Sequence, residues 1–288
     1  MLSITQTLAT LQTQGLDRLD AQLLVLHVLG RPHQRGWLLA HDDDAFLPDC
    51  AERLNILTKR RLMGEPLAHL TCHQEFYGID FHVDKQVLVP RPETETLVDW
   101  ALEVLPEYSA TAHVLDLGTG SGAIALALKA TRPRLAVWAT DASQAALTVA
   151  KANAQRLNIS VPFYAGNWFD ALPFYAPRFD CIVSNPPYIA ENDAHLKALR
   201  FEPVQALTSG ADGLDDIRHI IRYAKAYMKP DGWLLLEHGY DQSAAVRHFL
   251  TTQGFAFVQS RCDLMGIERC SGGKVSKILA SDLPDNNF

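Results

Sequence analysis

Four consecutive residues, Asn185-Pro186-Pro187-Tyr188, have the make-up of a hydrogen-bond acceptor site. Proline has no backbone N–H, so the stretch offers carbonyls and few donors. Pro187 restricts Pro186 to an extended conformation, which helps aim its carbonyl outwards. Asn185 adds the oxygen of its side-chain amide. Two acceptors side by side suit an NH2 group, which has two hydrogens to give. Tyr188 supplies a ring that can cover a flat group. An Asn-Pro-Pro run on its own is more often a strand-ending turn beneath an aromatic lid, so its surroundings must decide. The run before it, Phe179-Asp180-Cys181-Ile182-Val183-Ser184, reads as a buried strand that stops at the prolines.

A second stretch, Asp116-Leu117-Gly118-Thr119-Gly120-Ser121-Gly122, is built to approach a ligand. Its glycines let the backbone turn tightly between a strand and a helix. Gly118, Gly120 and Ala123 satisfy a dinucleotide-binding spacing, and Asp141 lies about where a ribose-binding acid belongs. A nicotinamide enzyme shares all of this. A turn with no ligand leaves Asp141 unexplained.

The elements that must carry these groups alternate from residue 113 onwards. Strands are expected at 113–117, 135–140, 161–165, 179–184 and 233–237, with helices at 123–130, 143–157, 214–228 and 243–253. Two further strands, 255–260 and 274–279, close the chain. Strands alternating with helices imply a mostly parallel sheet covered on both faces, with ligands at the carboxyl ends of its strands. That rule brings Gly118, Asp141, Trp168 and Asn185 to one edge. Trp168, after the third strand, has two readings: a surface for a flat ring, or a core residue.

The first 72 residues read as a small helical bundle. Ser3 to Gln6 has the form of a capping box, and Gly15 ends that helix. Asp20 is the expected cap of a second helix that runs to Gly30, Pro32 opens a short third around Trp37, and a fourth spans 48–63. Asp42-Asp43-Asp44 reads as a solvated acidic turn, without the spaced ligands of a calcium loop. Residues 73–90 read as a hairpin linker turning near Gly78, with Val87-Leu88-Val89 as a further extended piece. Residues 91–288 form the larger domain, whose first helix opens at Arg91-Pro92-Glu93-Thr94.

Composition narrows the classes. The 288 residues suggest two domains. A hydrophobic content of 48% gives material for a sizeable core, and the net charge of −7 weighs against broad nucleic-acid binding, which depends on neutralising phosphates. No apolar run is long enough to span a membrane, and neither a secretory signal nor a transit peptide is visible. Five scattered cysteines without a CxxC pair fit reduced thiols, so a cytoplasmic protein is expected. His69 and His73 are read as surface residues, and no metal is expected. A monomer is the expected state.

Several stretches together resemble one family. Asp116 to Gly122 is similar to motif I of S-adenosylmethionine-dependent methyltransferases. Asn-Pro-Pro-Tyr after the fourth strand occurs in methyltransferases that act on NH2 groups conjugated to π systems. Gly64 to Leu70, Val87 to Glu95, Asn185 to Ile189, Glu202-Pro203, Gly210 to Leu214 and Leu236 to Gly239 resemble the peptide chain release factor N5-glutamine methyltransferases. The likeness runs from about Gly64 to Lys274. Cys72-His73 and Cys270 depart from that pattern and leave details of the linker and the last hairpin open.

The resemblance implies a Rossmann-like class I methyltransferase fold, α/β, with a seven-stranded mostly parallel sheet whose last strand is antiparallel. It implies S-adenosyl-L-methionine as cofactor, with Gly118, Thr119, Gly120, Ser121 and Gly122 under its methionine half, Asp141 on its ribose and Trp168 at its adenine. Asn185 Oδ1 and the Pro186 carbonyl then accept the two hydrogens of a glutamine amide, while Tyr188 packs on the amide plane. Pro187 and Glu202 complete the substrate pocket. The implied partners are class I peptide chain release factors, methylated on the glutamine of Gly-Gly-Gln, with residues 1–72 in recognition. The alternative is a nucleic-acid amino-methyltransferase (N6-adenine or N4-cytosine) using the same four residues. It calls for a basic groove that the sequence does not display.

Overall fold

The computed structural model describes residues 2–32, 34–105 and 112–276. The chain divides into two compact units at His73/Gln74.

The first unit is helical: α1 (Ile4–Thr13), α2 (Arg18–Val28), α3 (Trp37–Ala40), α4 (Pro48–Leu62) and α5 (Leu67–Thr71). The capping box at α1 is formed, with Ser3 Oγ accepting from Gln6 N and Gln6 Oε1 from Ser3 N. Ile4, Leu11, Leu24, Val25, Leu38, Leu54 and Leu70 pack into one core. Three details differ from the sequence reading. Helix α2 starts at Arg18, so Asp20 lies in its first turn, where its carboxylate takes Arg61 Nε at 2.6 Å. Pro32 opens no helix; α3 begins at Trp37. His69 is buried rather than on the surface, because α5 turns Ala68, His69 and Leu70 inwards together.

The hairpin β1 (His73–Phe76) and β2 (Ile79–His82) starts at the His73/Gln74 boundary, and α6 (Glu95–Val104) follows in the second unit. Val87-Leu88-Val89 joins no sheet. Then come β3 (His113–Leu117), α7 (Ala123–Thr131), β4 (Ala136–Asp141), α8 (Gln144–Arg156), β5 (Phe163–Ala165), β6 (Phe179–Ser184), α9 (Asp215–Ala224), β7 (Met228–Glu237), α10 (Ser243–Thr252), β8 (Phe255–Cys262) and β9 (Glu268–Val275). The sheet order is β5-β4-β3-β6-β7-β9-β8. Neighbours from β5 through β7 are parallel, and β9 is antiparallel to both β7 and β8. This is the class I methyltransferase fold. Its central strands are apolar on both faces, as a sheet between two helix layers requires. Leu115, Leu117, Ile182, Leu234 and Leu236 pack with Ile217, Ile220, Val246 and Leu250 of α9 and α10.

Strand β5 begins two residues later than the sequence suggests, since Pro162 has no N–H to pair. The last strand begins six residues earlier than expected, and Ile278 and Leu279 of the expected strand lie outside the described residues. The double glycine hides it. A Cβ on Gly272 would meet Leu234 O and Leu235 Cδ2 at 2.6 Å, so the side chain is missing where β9 must close on β7.

Candidate active site

The carboxyl ends of β3, β4 and β6 meet around a cavity of about 360 Å³. Gly118, Thr119, Gly120 and Ser121 line it from the loop after β3; Asp141, Ala142 and Ser143 follow β4. Trp168 and Asp216 wall it, and Asn185 and Pro187 follow β6. Parallel strands starting in register end in register, which is how groups far apart in sequence reach one edge.

The loop backbone is tied to the acid. Asp141 Oδ2 accepts from Gly120 N and Oδ1 from Ser143 N, both at 2.8 Å. Burial raises the Asp141 pKa while those two amides oppose the rise. Each oxygen keeps a second lone-pair direction. Gly118 has φ +70, and a Cβ there would approach Trp168 Cζ3 to 3.3 Å. The indole thus packs directly on the bare backbone of Gly118 at the cavity wall. Trp168 itself has φ 45, a conformation that a bulky residue rarely takes unless held. The hold is visible: Nε1 donates to Asp216 Oδ1 at 3.2 Å, and the ring packs on the core under α9. Trp168 therefore both walls the cavity and packs on the core. Gly122 does not line the cavity; it precedes α7 in a left-handed conformation.

Beneath the loop, Asp116 is fully buried. Burial pushes its carboxyl up to about 7, against hydrogen bonds from Thr119 Oγ1 at 2.6 Å and Ala125 N at 3.2 Å. It braces the loop against the start of α7.

A second cavity, of about 230 Å³, is lined by Arg91, Pro186, Tyr188, Ile189, Leu199 and Leu207. Leu88, Asn185 and Ala206 line both cavities, so Asn185 stands at the boundary between them. Its Nδ2 donates to Thr94 Oγ1 at 3.2 Å. Its Oδ1 is buried and has no hydrogen-bond partner among the described residues. A buried amide oxygen left bare costs about 1–3 kcal/mol, so it is a place prepared for a donor.

Tyr188 sits differently from a free aromatic lid. Its hydroxyl donates to Glu237 Oε1 at 3.3 Å, and its carbonyl accepts from Gln242 Nε2 at 2.9 Å. Burial raises its pKa first, and the Glu237 charge adds to the rise. Glu202 is buried but lines neither cavity. Its Oε2 accepts from Val89 N at 3.0 Å, and Oε1 pairs with the Arg91 guanidinium. It therefore staples the Leu88-to-Arg91 segment across the second cavity.

Two residues to which the sequence alone assigns no role prove central. Glu237 ends β7 fully buried, and burial pushes its carboxyl up to about 7 against the hydroxyls of Thr94 and Tyr188. Thr94 holds the Asn185 amide through its Oγ1. The available signal is an acid closing the apolar strand Leu234-Leu235-Leu236. Among the described residues no group of three His, Cys, Asp or Glu side chains is placed to hold a metal ion.

A family model described as the Methyltransferase small domain matches residues 96–238. A second, described as the PrmC N-terminal domain, matches residues 4–71. The Release factor glutamine methyltransferase of Bordetella pertussis (strain Tohama I) is 50% identical over 261 residues, covering 90% of this chain and 95% of that protein. The Release factor glutamine methyltransferase of Burkholderia pseudomallei (strain K96243) is 47% identical over 273 residues, with 92% and 94% covered. A methyltransferase crystal structure from Pyrococcus furiosus superposes with a TM-score of 0.53 at 16% identity, covering 80% of this chain and 100% of that one, a likeness of fold alone.

Proposed function

The chain belongs to the release factor glutamine methyltransferase family, and on that premise we propose that it transfers a methyl group from S-adenosylmethionine to a glutamine side-chain nitrogen. The acceptor in this reading is the glutamine of Gly-Gly-Gln in class I peptide chain release factors. The observation that carries it is the buried, unpartnered Asn185 Oδ1 between two cavities.

The residues present fit the cofactor. The larger cavity joins bare loop backbone at Gly118, a carboxylate at Asp141 and an indole wall at Trp168. Gly118 to Ser121 would hold the methionine half, Asp141 the ribose hydroxyls and Trp168 the adenine face. When bound, S-adenosylmethionine supplies an electrophilic methyl group on its sulfonium. Asn185 Oδ1 and the Pro186 carbonyl accept the two hydrogens of the glutamine amide in the smaller cavity. An amide nitrogen is a weak nucleophile because its lone pair is delocalised into the carbonyl. Fixing both hydrogens orients the nitrogen and stabilises the positive charge that grows on it. Tyr188, its hydroxyl anchored on Glu237, presents its ring to the smaller cavity. Glu202 shapes that cavity indirectly, by holding Arg91 and Val89.

We assign the helical unit, which carries no chemical motif, to recognition of the release factor. The reading is of a monomer in the cytoplasm, where the five free cysteines stay reduced. No described helix is long and apolar enough to cross a membrane.

The test supplies methyl-labelled S-adenosylmethionine with purified release factor, with the same factor carrying alanine in place of that glutamine, and with duplex and single-stranded DNA. Label is expected in the first alone. Label in DNA, or equal label in the alanine variant, would overturn the assignment in favour of a nucleic-acid amino-methyltransferase.

A further inference from the structure

Strands β8 and β9 are joined by a tip, Asp263-Leu264-Met265-Gly266-Ile267, that presents apolar side chains to solvent. Leu264 is 102% exposed, Met265 83% and Ile267 38%. Scattered exposed leucines need no explanation, but neighbouring ones on a braced scaffold do. This tip is braced. Asp263 Oδ1 accepts from Met265 N at 2.9 Å and Ile267 N at 3.0 Å, and its Oδ2 accepts from Arg269 Nε at 3.1 Å. Asp263 N also donates to Ile267 O at 2.8 Å, and Gly266 N to Asp263 O at 3.0 Å. A single buried carboxylate thus gathers the turn, and the side chains it turns outwards are Leu264 and Met265. Such preorganisation lowers the ordering cost of covering them.

Its place in the sheet says what covers it. Strand β8 runs parallel to β7, since each is antiparallel to β9. The tip therefore leaves the sheet at its carboxyl edge, the edge that carries the acceptor cavity, with β9 two strands from β6. Cys270 pairs with Glu237, the residue that holds the Tyr188 hydroxyl, and His238 N donates to Arg269 O at 2.9 Å. Arg269, which braces the tip, is thus the strand neighbour of the residues behind Tyr188. In the glutamine-methylation reading, the glutamine enters the smaller cavity from a folded protein, and that protein approaches this same edge.

We propose that the Leu264–Met265 tip is a docking contact for the release factor, seating in an apolar depression of the substrate protein beside its glutamine loop. The inference rests on the glutamine-methylation reading. It assigns the tip to protein recognition and leaves the chemistry to the cavities.

The experiment measures steady-state kinetics with full-length release factor for the wild-type chain, Leu264→Asp/Met265→Asp and the milder Leu264→Ala/Met265→Ala. S-adenosylmethionine affinity is titrated in parallel, and the mass of each free enzyme is measured by light scattering. A charge pair placed in an apolar contact is expected to raise KM for the release factor by about tenfold or more, with the alanine pair intermediate. The kcat at saturation and the cofactor affinity should stay as in wild type, a split that a merely structural role would not produce. An unchanged KM in both variants overturns the docking role. A fall in kcat or cofactor affinity at unchanged KM overturns it as well, by moving the tip into support of the site. A wild-type dimer that the aspartates dissociate overturns it in favour of a second copy of this chain as occupant. Failure of the wild-type chain to methylate release factor would instead strike the underlying reading, an outcome visible before any variant is measured.

Discussion

The side-chain nitrogen of Asn185 donates to Thr94 Oγ1 at 3.2 Å, a bond between residues 91 positions apart that fixes which way the Asn185 amide points. With the nitrogen committed to Thr94, the oxygen is left buried with no partner among the described residues. Asn185→Ala removes the acceptor itself, so methyl transfer should vanish while S-adenosylmethionine still binds. Thr94→Val keeps the shape and frees the amide to rotate. A hydrogen bond of this kind contributes about 0.5–1.5 kcal/mol, so kcat should drop by roughly threefold to tenfold. Single-turnover rates check both variants. A wild-type rate in Asn185→Ala would remove Asn185 from the mechanism.

Asp141 does two jobs in this geometry. It anchors the loop through Gly120 N and Ser143 N, and its carboxylate lines the larger cavity. Asp141→Ala should therefore weaken S-adenosylmethionine binding. The loss of one charge-assisted bond amounts to about 1.5–3 kcal/mol, or roughly tenfold to a hundredfold in Kd. Isothermal titration reads this directly. Unchanged affinity would mean that the ribose is held elsewhere.

Much of this architecture is legible in the chain, and the exceptions share a cause. Strands β3 and β6 can be read at their observed bounds because apolar runs of aliphatic residues stand between clear turn signals. The Gly118 loop, Asp141 and Asn185 stand out because each is local: a few residues define the feature. Strand β9 is hidden over Glu268 to Gly273 because its residues neither alternate nor favour a strand. The slot between β7 and β8 selects them, above all at Gly272. Thr94 and Glu237 carry no evident role in the sequence for a similar reason. Their meaning comes from touching Asn185 and Tyr188, a relation that exists only after the sheet has formed.

Gly272 gives the fold its own test. It lies against Leu234 O, Leu235 Cδ2 and Trp100 Cη2, and a methyl group added to it would fall 2.6 to 3.0 Å from them. Backbone cannot step aside as a flexible side chain can. Gly272→Ala should cost about 1–3 kcal/mol through overpacking, lowering Tm by several degrees. Calorimetry of the two proteins at one pH checks this. An unaltered Tm would show that β9 can shift away from β7 at no cost.

The buried carboxyls make a prediction about pH. Burial pushes Asp116 and Glu237 up to about 7 from ordinary values of 3.8 and 4.5. Between the ordinary range and 7 the unfolded chain has lost these protons and the folded chain keeps them. The stability they contribute is full at low pH and fades as pH rises towards 7. His27 and His238 work in the opposite sense, since burial lowers their pKa values and their contribution is lost as pH falls through about 6.5, the ordinary histidine value. The total curve therefore mixes signs, and the informative quantity is a difference between proteins. Asp116→Asn cannot ionise, so it escapes the loss that the wild-type aspartate suffers. Relative to wild type, its unfolding free energy should climb with pH by about 1.4 kcal/mol per unit between 5 and 7, then level off. Urea titrations of both proteins without ligand at pH 5, 6, 7 and 8 measure it. A difference that stays flat across that series would mean that Asp116 is ionised in the folded chain throughout, with Thr119 and Ala125 sufficient to hold the charge.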